Sequence, residues 1–473
     1  MMKKNLLLFS TLLFWTVSVN AQQTPVNPAK PYKFVIKGGH VIDPKNNIDG
    51  VMDIAIKGGR PASPAMPAEP ERPASAGVPG RPARPAQEAV SRIDGTIALV
   101  AKNINPDLGV QVIDATGLYI TPGFIDLHTH NFWGGDIGGI NYSDGPYSIP
   151  PDGFTFRSGV TTVVDAGSAG WRNFEKFKKQ TIDLSLTRVL ALLNINGAGM
   201  NGRSESNLDD MDAQKTAEMG KKYPDIIVGV KNAHFGGGGG SIPKAYLIPV
   251  ERGIEAARMM GGIFMLDGRL DEEIFDRFRP GDIYTHVYGR AIMDSVGNVK
   301  PFVLAARKKG VIFDIGFGGA SFGFNVATPA VKAGFFPNSI STDQHISSMN
   351  NAMKDMQNIM GLLMAMGMPF NEVIKAATWN PAKQINRPEL GNLSVGSVAD
   401  IAIFEIRSGK FGFWARDGYI DGNKRFTHEM TLRAGELVYN LNGRVKPINL
   451  PAVPRGGAGN APRPAAPQPA PRQ

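Results

Sequence analysis

The sequence predicts an α/β fold, in which a (β/α)8 barrel of the TIM type is flanked by a small composite β-domain built from both chain ends. Between about residues 118 and 385, apolar segments of strand length alternate with segments of helical periodicity. On both sides of this stretch, apolar and polar residues alternate one by one, as in strands with one buried face. The order of the two periodicities along the chain therefore indicates the fold class.

Eight candidate strands define the barrel, and helical segments lie between them. The strands are predicted over residues 118–128, 160–166, 187–195, 226–231, 263–267, 283–286, 311–315 and 339–343. The helices are predicted over residues 171–184, 209–222, 248–260, 271–278, 299–309, 328–334 and 351–366. We therefore predict a barrel domain over residues 117–387, with its functional residues at the carboxyl ends of the strands.

The flanking domain is predicted to combine residues 32–116 and 388–450. Its alternating segments are 32–36, 51–56, 393–404 and 431–439. Residues 53–59 and 96–100 are predicted to pair as a hairpin, which a Pro/Ala-rich insertion at 61–87 interrupts. The insertion contains no Ile, Leu, Phe, Tyr or Trp and cannot bury a core, so we interpret it as a solvated spacer. Docking of the insertion to a partner is the alternative.

The two chain ends are predicted to lie outside both domains. Residues 1–21 have a basic start, an apolar stretch and a small-residue cleavage site, which is typical of a secretory signal peptide. The apolar stretch is shorter than the ~20 residues that span a bilayer, so a transmembrane anchor is the less favoured alternative. We expect export, most simply to a periplasm, with no integral membrane segment after signal removal. The Pro/Ala-rich tail at 451–473 is predicted to be disordered.

Composition limits the chemistry of any site. The chain has no cysteine, so disulfides are excluded and a metal site must use His, Asp, Glu or a modified Lys. The net charge is +9, but much of the excess is Arg in the low-complexity segments. Because no basic patch is interleaved with aromatic residues, we expect no nucleic-acid partner.

Polar side chains end several of the predicted strands. His128 and His130 end the first strand, and their spacing of two residues points both imidazoles to the same face. Two nitrogen donors on a rigid strand end suit a divalent metal such as zinc. The other strand-ending candidates are Lys231, Asp267, His286 and Asp343.

The order of these residues resembles the amidohydrolase superfamily, and the wider motifs resemble its dihydroorotase-like deacetylase branch. The motifs occupy residues 159–170, 281–286, 313–316, 340–343, 380–381 and 391–400. The resemblance runs from about residue 33 to residue 445 without the insertion. It implies that His128 and His130 bind the more buried of one or two Zn²⁺ ions. It also implies that a carboxylated Lys231 bridges two ions and that His286 binds the second. Asp343 is implied as a ligand of the first ion and as the general base and acid.

Elementary chemistry agrees with these roles. A lysine desolvated at an apolar strand end can lose its proton, and the neutral amine can then form an anionic carbamate. A metal lowers the pKa of bound water to roughly 7 and polarises a scissile carbonyl. Asp343 can take the proton of the nucleophile and pass it to the leaving group.

Each candidate also has a purely structural alternative. His128 and His130 can be hydrogen-bonded core histidines, and Lys231 can extend to solvent. His286 can bond a loop, and Asp343 can cap the following helix.

Two residues depart from the family pattern. Asp267 stands where the family has a strand-ending His, and it either binds a second metal or pairs with Arg269 and leaves one metal. Phe317 replaces a family His at a position that is expected to face the substrate.

Two further histidines lie near the candidate ligands in sequence. His345 is expected to lie beside the ligands or to contact a loop, and His234 either reaches the site or stays on a loop.

We therefore expect an exported metal-dependent hydrolase that cleaves a C–N amide bond of a small molecule, of the deacetylase or dihydroorotase type. One alternative is a degenerate barrel that binds a ligand without catalysis. Another is a hydrolase of carboxylic esters or lactones that uses the same site. The sequence does not determine the substrate or the oligomeric state, for which a homo-oligomer is one option.

Overall fold

A computed structural model describes residues 30–59, 80, 82–83, 86, 93–135, 141–202, 205–236 and 242–445. The predicted signal peptide, the predicted disordered tail and most of the Pro/Ala-rich insertion lie outside these residues. The strands are β1 (Tyr32–Asp43), β2 (Ile48–Lys57), β3 (Thr96–Ala101), β4 (Gly109–Asp114), β5 (Tyr119–Pro122), β6 (Phe124–Thr129), β7 (Val160–Gly170), β8 (Arg188–Asn194), β9 (Ile227–Ala233), β10 (Ile263–Asp267), β11 (Ile283–Tyr284), β12 (Ile312–Phe313), β13 (Ile401–Ala415), β14 (Gly418–Arg433) and β15 (Glu436–Asn440). The α-helices are α1 (Phe174–Gln180), α2 (Ala213–Lys222), α3 (Leu247–Met260), α4 (Glu272–Arg277), α5 (Pro301–Lys309), α6 (Phe324–Lys332), α7 (Ile346–Met349), α8 (Met356–Ala365), α9 (Phe370–Ala377) and α10 (Trp379–Gln384).

The predicted α/β fold class, with a barrel and a composite β-domain, is confirmed. One sheet has the strand order β15-β14-β13-β5-β1-β2-β3, with β4 added beside β1, so it joins strands from both ends of the described chain. The predicted hairpin is present, because β2 and β3 pair antiparallel. A second sheet contains β6 to β12 in sequence order, and all of its pairs are parallel.

The segment predicted as one strand over residues 118–128 is divided at Gly123. β5 pairs with β1 and β13 in the composite sheet, whereas β6 pairs with β7 in the parallel sheet. A Cβ at Gly123 would lie 2.3 Å from the Thr161 hydroxyl oxygen, so the close approach at the division requires glycine. The composite sheet therefore extends to Pro122, past the predicted domain boundary at residue 117.

The eighth strand position is occupied by an irregular segment rather than by the predicted strand 339–343. Isolated bridges join Asp314 to Ser339 on one side and Thr129 to Gln344 on the other, so this segment connects β12 to β6. The Asp314 carboxylate accepts hydrogen bonds from the hydroxyls of Ser339 and Ser341 at 2.8 and 2.6 Å. Side-chain hydrogen bonds thus replace part of the backbone ladder at this seam.

Separate apolar clusters hold the two sheets. The composite sheet buries its own cluster, which includes Ile36, Ile54 and Ile401. A larger cluster packs the barrel strands against their helices, for example Val250 of α3 and Phe264 of β10. In the described part of the chain, no helix combines the length and the apolar character needed to cross a membrane.

Candidate active site

A histidine of β6, the histidine just after β6 and one aspartate of the eighth strand position form a donor cluster, by which we mean His128, His130 and Asp343. The Nε2 atoms of His128 and His130 lie 3.5 and 3.1 Å from Oδ1 of Asp343. One ligand atom from each of the three side chains lies within 4.8 Å of the other two. Because zinc–nitrogen and zinc–oxygen bonds are about 2.0–2.2 Å long, atoms at this spacing can surround one ion.

Hydrogen bonds determine which nitrogen of each imidazole faces the cluster. Thr285 donates its hydroxyl proton to Asp314 at 2.8 Å, so its oxygen accepts from the Nδ1–H of His128 at 3.0 Å. Nδ1 of His130 lies 3.0 Å from the Ser168 hydroxyl oxygen. With Nδ1 engaged, the Nε2 atom of each ring is directed into the cluster, where it can bind a cation in its deprotonated form.

Lys231 of β9 is fully buried beside the donor cluster. Its side chain is 0% exposed, and its Nζ lies 3.1 Å from Nε2 of His128. Burial lowers the pKa of Lys231, although the nearby carboxylates of Asp267 and Asp343 oppose the shift. Burial, followed by the charge of Lys231, also holds the pKa of His128 well below its usual value. The alternative in which Lys231 extends to solvent is therefore wrong.

Gly167 of β7 leaves the space that the stem of Lys231 occupies. Its φ is +87°, and a Cβ built there would lie 2.8 Å from Cβ of Lys231. We expect Gly167→Ala to lower the free energy of unfolding by about 2 kcal/mol or more, because a side chain at positive φ alone costs about 1–3 kcal/mol. Gly117→Ala is the matched control, since Gly117 has a φ of +80° but no atom within 4 Å. Equal losses for both variants in urea unfolding would show that the lysine contact is unimportant.

Asp343 joins the donor cluster from a strained backbone position. Its φ is +51°, in the left-handed region, and such outliers concentrate at functional sites. Burial raises the pKa of Asp343, but its interactions with His128, His345 and His130 outweigh burial and hold the pKa well below its usual value. The alternative in which Asp343 caps a helix is wrong, because the N-cap of α7 is His345. The His345 ring lies beside the cluster, with Nδ1 2.7 Å from the carbonyl oxygen of Asp343.

Asp267, at the end of β10, is held by an ion-pair cluster, by which we mean Asp267, Arg290, His234 and Glu205. Oδ1 of Asp267 accepts from Nη2 of Arg290 at 2.7 Å. Oδ2 of Asp267 lies 3.2 Å from Nε2 of His234, whose Nδ1 lies 2.9 Å from Glu205. Burial lowers the pKa of His234, but the hydrogen bonds to Asp267 and Glu205 outweigh it and raise the pKa to about 10. His234 therefore reaches the site as a charged group.

The alternative in which Asp267 pairs with Arg269 is wrong. The Arg269 side chain is 60% exposed, its guanidinium carbon lies 4.3 Å from the centre of the Tyr246 ring, and its Nε lies 3.6 Å from Asp271. The loop after β10 turns Arg269 outward, and Arg290 comes from the loop after β11 to take its place. Arg269 is closer to Asp267 in sequence than Arg290 is, but the direction of the loop after β10 makes Arg290 the partner of Asp267.

His286 lies between the donor cluster and the ion-pair cluster. It has a φ of +57°, and its Nδ1–H donates to the carbonyl oxygen of Gly316 at 2.5 Å, which is the loop contact expected in the structural alternative. Its Nε2 lies 3.3 Å from Oδ2 of Asp267. Burial lowers the pKa of His286, but the charge and hydrogen bond of Asp267 outweigh it, so the net shift is upward.

Phe317 does not line the cavity, so the expectation that this position faces the substrate is wrong. Its ring is 2% exposed and stacks on Phe322 with the ring centres 4.6 Å apart. The next residue, Gly318, lies beside the site instead. A Cβ at Gly318 would be 2.5 Å from Oδ2 of Asp343, so this position must lack a side chain.

A cavity of about 380 Å³ opens over these residues, a size that suits a small molecule. Its lining includes His128, His130, Tyr142, Met200, His234, Asp267, His286, Gly319, Ala320, Ser321, Asp343 and His345. The ring of Tyr142 lies 4.5 Å from that of His130 and forms one wall. A larger cavity of about 470 Å³ lies at the amino ends of β10 and β12, away from the donor cluster.

The tip of the β13–β14 hairpin holds another wall of the cavity. Nη1 of Arg416 donates to the carbonyl oxygen of Ala320 at 3.1 Å. The Asp417 carboxylate accepts from the backbone N–H groups of Phe324 and Asn325 at 2.8 and 2.9 Å, at the start of α6. A strand pair of the composite sheet therefore supports the segment 319–321 that lines the cavity.

We expect Asp417→Ala to raise KM by about 2- to 10-fold and to change kcat less, because loss of a cap of about 1 kcal/mol loosens this wall without touching the donor cluster. Steady-state kinetics with any substrate that the protein hydrolyses will measure both constants. Asp421→Ala is the control, because Asp421 is exposed on the same hairpin and pairs with Gly412 across it. An unchanged KM in Asp417→Ala would show that the wall is held without this carboxylate.

Several residues that orient the candidate ligands were not predicted. Thr285, Asp314 and Ser168 lie inside the motifs that carry the family resemblance. Those motifs were the sequence feature that could have identified these residues as partners of the ligands. Arg290 and Glu205 lie on loops and carry no periodic or strand-end signal.

Known proteins resemble this chain over most of its length. The amidohydrolase family model matches residues 320–425. A deacetylase from Brucella anthropi is 35% identical over 327 residues, which cover 66% of this chain and 78% of that protein. The crystal structure of an adenine deaminase has a TM-score of 0.70 at 26% identity and covers 86% of this chain and 100% of its own. The crystal structure of a dihydroorotase has a TM-score of 0.69 at 29% identity, with 86% and 97% covered.

Proposed function

Since this chain belongs to the amidohydrolase superfamily, we propose that it is a metal-dependent hydrolase that cleaves a C–N amide bond of a small molecule. The observation that carries the proposal is the convergence of His128, His130 and Asp343 within 4.8 Å at one cavity. The relative named a deacetylase and the structural neighbour named a dihydroorotase support amide cleavage of one of these two types.

The residues of the donor cluster fit a divalent metal such as zinc. Two imidazoles with Nε2 directed inward and one ionised carboxylate are a donor set that zinc favours. His128, His130 and Asp343 would hold the ion, and the buried amine of Lys231, once carboxylated, would add an oxygen donor. When bound, the ion polarises the scissile carbonyl and lowers the pKa of a coordinated water to roughly 7.

Asp343 is the residue that moves the proton. It is ionised, it lines the cavity, and Gly318 leaves Oδ2 free of a neighbouring side chain. The carboxylate takes a proton from the attacking water and delivers it to the leaving nitrogen, a role that contributes about 10²–10⁴-fold to rate. Lys231 is excluded from this role because no part of its side chain is exposed.

Metal content is the first test. Protein purified without chelator and then reconstituted with bicarbonate and Zn²⁺, Mn²⁺ or Fe²⁺ is expected to retain roughly one equivalent of metal or more, because the site requires a deprotonated donor set that neutral pH provides. Less than about a tenth of an equivalent of every metal would contradict the proposal.

A substrate panel separates the proposed reaction from its rivals. N-acetyl amino acids and cyclic imides represent amides, and O-acetyl hydroxy acids represent esters. We expect turnover of at least one amide. Turnover of esters alone would replace amide cleavage by ester hydrolysis, since the same polarised carbonyl serves both bonds. Binding of panel members without any turnover would favour a ligand-binding barrel.

We also propose that the protein is exported to a periplasm, on the basis of the signal-peptide pattern in residues 1–21. Fractionation of cells that express the full chain is expected to recover it in the periplasmic fraction. Deletion of residues 2–21 is expected to retain it inside the cytoplasm. Cytoplasmic recovery of the full chain would contradict export.

A further inference from the structure

The cavity contains two polar clusters that differ in how their donors are arranged. In the donor cluster, the inward Nε2 atoms of His128 and His130 face one shared carboxylate oxygen. In the ion-pair cluster, each carboxylate already faces a cationic partner. The two clusters therefore offer different environments to a dication.

Both oxygens of Asp267 are engaged. Oδ1 is 2.7 Å from Nη2 of Arg290, and Oδ2 is 3.2 Å from His234 and 3.3 Å from His286. A dication at Asp267 would have to displace one of these contacts and would lie within a few ångströms of the guanidinium. The two cations would repel each other at this distance, because the cavity wall screens them less than bulk water does.

The geometry of the side-chain donors also disfavours a dication at Asp267. Among the described residues, His128, His130 and Asp343 are the group of three side-chain donors that lie within 4.8 Å of one another. Asp267, His234 and His286 do not form such a group, although Asp267 approaches each of the two histidines. Oδ2 of Asp267 approaches both imidazoles, but the three side chains do not converge on one point as those of the donor cluster do.

We propose that the protein binds a single metal ion, at the donor cluster, and that the ion-pair cluster takes the place of a second ion. Binding of the first ion rests on the function proposed above. In this arrangement His286 is a wall residue held by Asp267 and the Gly316 carbonyl, and it does not ligate a metal. Arg290 supplies the positive charge that balances Asp267.

Metal stoichiometry tests the single-ion site. The parent protein is reconstituted with excess Zn²⁺ and bicarbonate, desalted, and analysed by elemental mass spectrometry; one equivalent is expected. The variant Asp267→His/Arg290→Met adds an imidazole beside His286 and removes the competing cation, so two equivalents are expected. The control Asp276→His/Arg258→Met makes the same two changes at exposed positions of α4 and α3 and is expected to keep one.

The possible results discriminate between the two proposals. Two equivalents in the parent would overturn the single-ion site and leave the proposed hydrolase intact, whereas none would overturn the proposed hydrolase itself. A folded Asp267→His/Arg290→Met variant that retains one equivalent would show that the ion-pair cluster does not exclude a second ion. If that variant does not fold, anomalous diffraction at the zinc edge from crystals of the parent will count the bound ions. One peak is expected, at His128 and His130. A second peak beside His286 would overturn the single-ion site.

Discussion

Asp343→Asn is expected to reduce kcat by about 10³-fold or more, because the amide cannot accept the proton of the attacking water. Interactions with His128, His345 and His130 keep Asp343 ionised, and substitution by an amide removes both the negative charge and the basic oxygen. Kinetics with the best substrate of the panel will measure the loss. Circular dichroism and metal content, measured on the same samples, are expected to show that the variant is folded and retains metal.

Asp355→Asn is the matched control for this loss. Asp355 caps α8 by accepting from the backbone N–H of Asn358, it lies outside the cavity lining, and Asn is nearly as good a cap as Asp. Its kcat is expected to stay within about twofold of the parent, because the cap is kept. If Asp343→Asn hydrolyses the substrate as fast as the parent, Asp343 does not transfer the proton.

Metal removal is expected to give the second large effect, a fall in thermal stability. The inward Nε2 atoms of His128 and His130 lie buried beside Oδ1 of Asp343, and the amine of Lys231 lies 3.1 Å from Nε2 of His128. A ligand that binds only the folded state stabilises it by about 2.7 kcal/mol when present at a hundred times its Kd. Differential scanning fluorimetry is therefore expected to show a lower Tm after chelation and recovery with Zn²⁺ and bicarbonate.

Two variants show whether this stabilisation comes from the donor cluster. His128→Asn/His130→Asn removes both imidazoles, and its Tm is expected to be insensitive to chelator. His40→Asn is the control, because His40 is a surface histidine that pairs with Asp49 far from the cavity. His40→Asn is expected to respond to chelator as the parent does. A chelator effect that persists without His128 and His130 would place the stabilising ion elsewhere.

Local periodicity determined much of the fold before any tertiary contact was known. A strand has a period of two, so an apolar run that ends in His-x-His necessarily directs both imidazoles to one face, as His128 and His130 are directed. Apolar strands alternating with helices have few packing solutions, so the barrel followed from their order. Lys231 was a candidate because a lysine that ends an apolar strand is chemically conspicuous, and its side chain is fully buried.

The tertiary structure decided where strands divide and which charges pair. Between β5 and β6, position 123 requires glycine because Thr161, distant in sequence, leaves no room for a Cβ. Asp267 pairs with Arg290 instead of Arg269 because loop direction, not sequence distance, sets the positions of side chains. Tertiary packing also places the ring of Phe317, which stacks on Phe322 and does not line the cavity.

Residue identity and periodicity over a few residues were therefore enough to predict the types of donor, most of the strand ends that carry them and the class of fold. The approach of Asp343 to within 3.1 Å of His130, the orientation of His128 by Thr285 and the support of the cavity wall by Asp417 were decided only in three dimensions. Each of these contacts joins segments that are tens to hundreds of residues apart, and their geometry is set by closure of the barrel and by the paths of its loops.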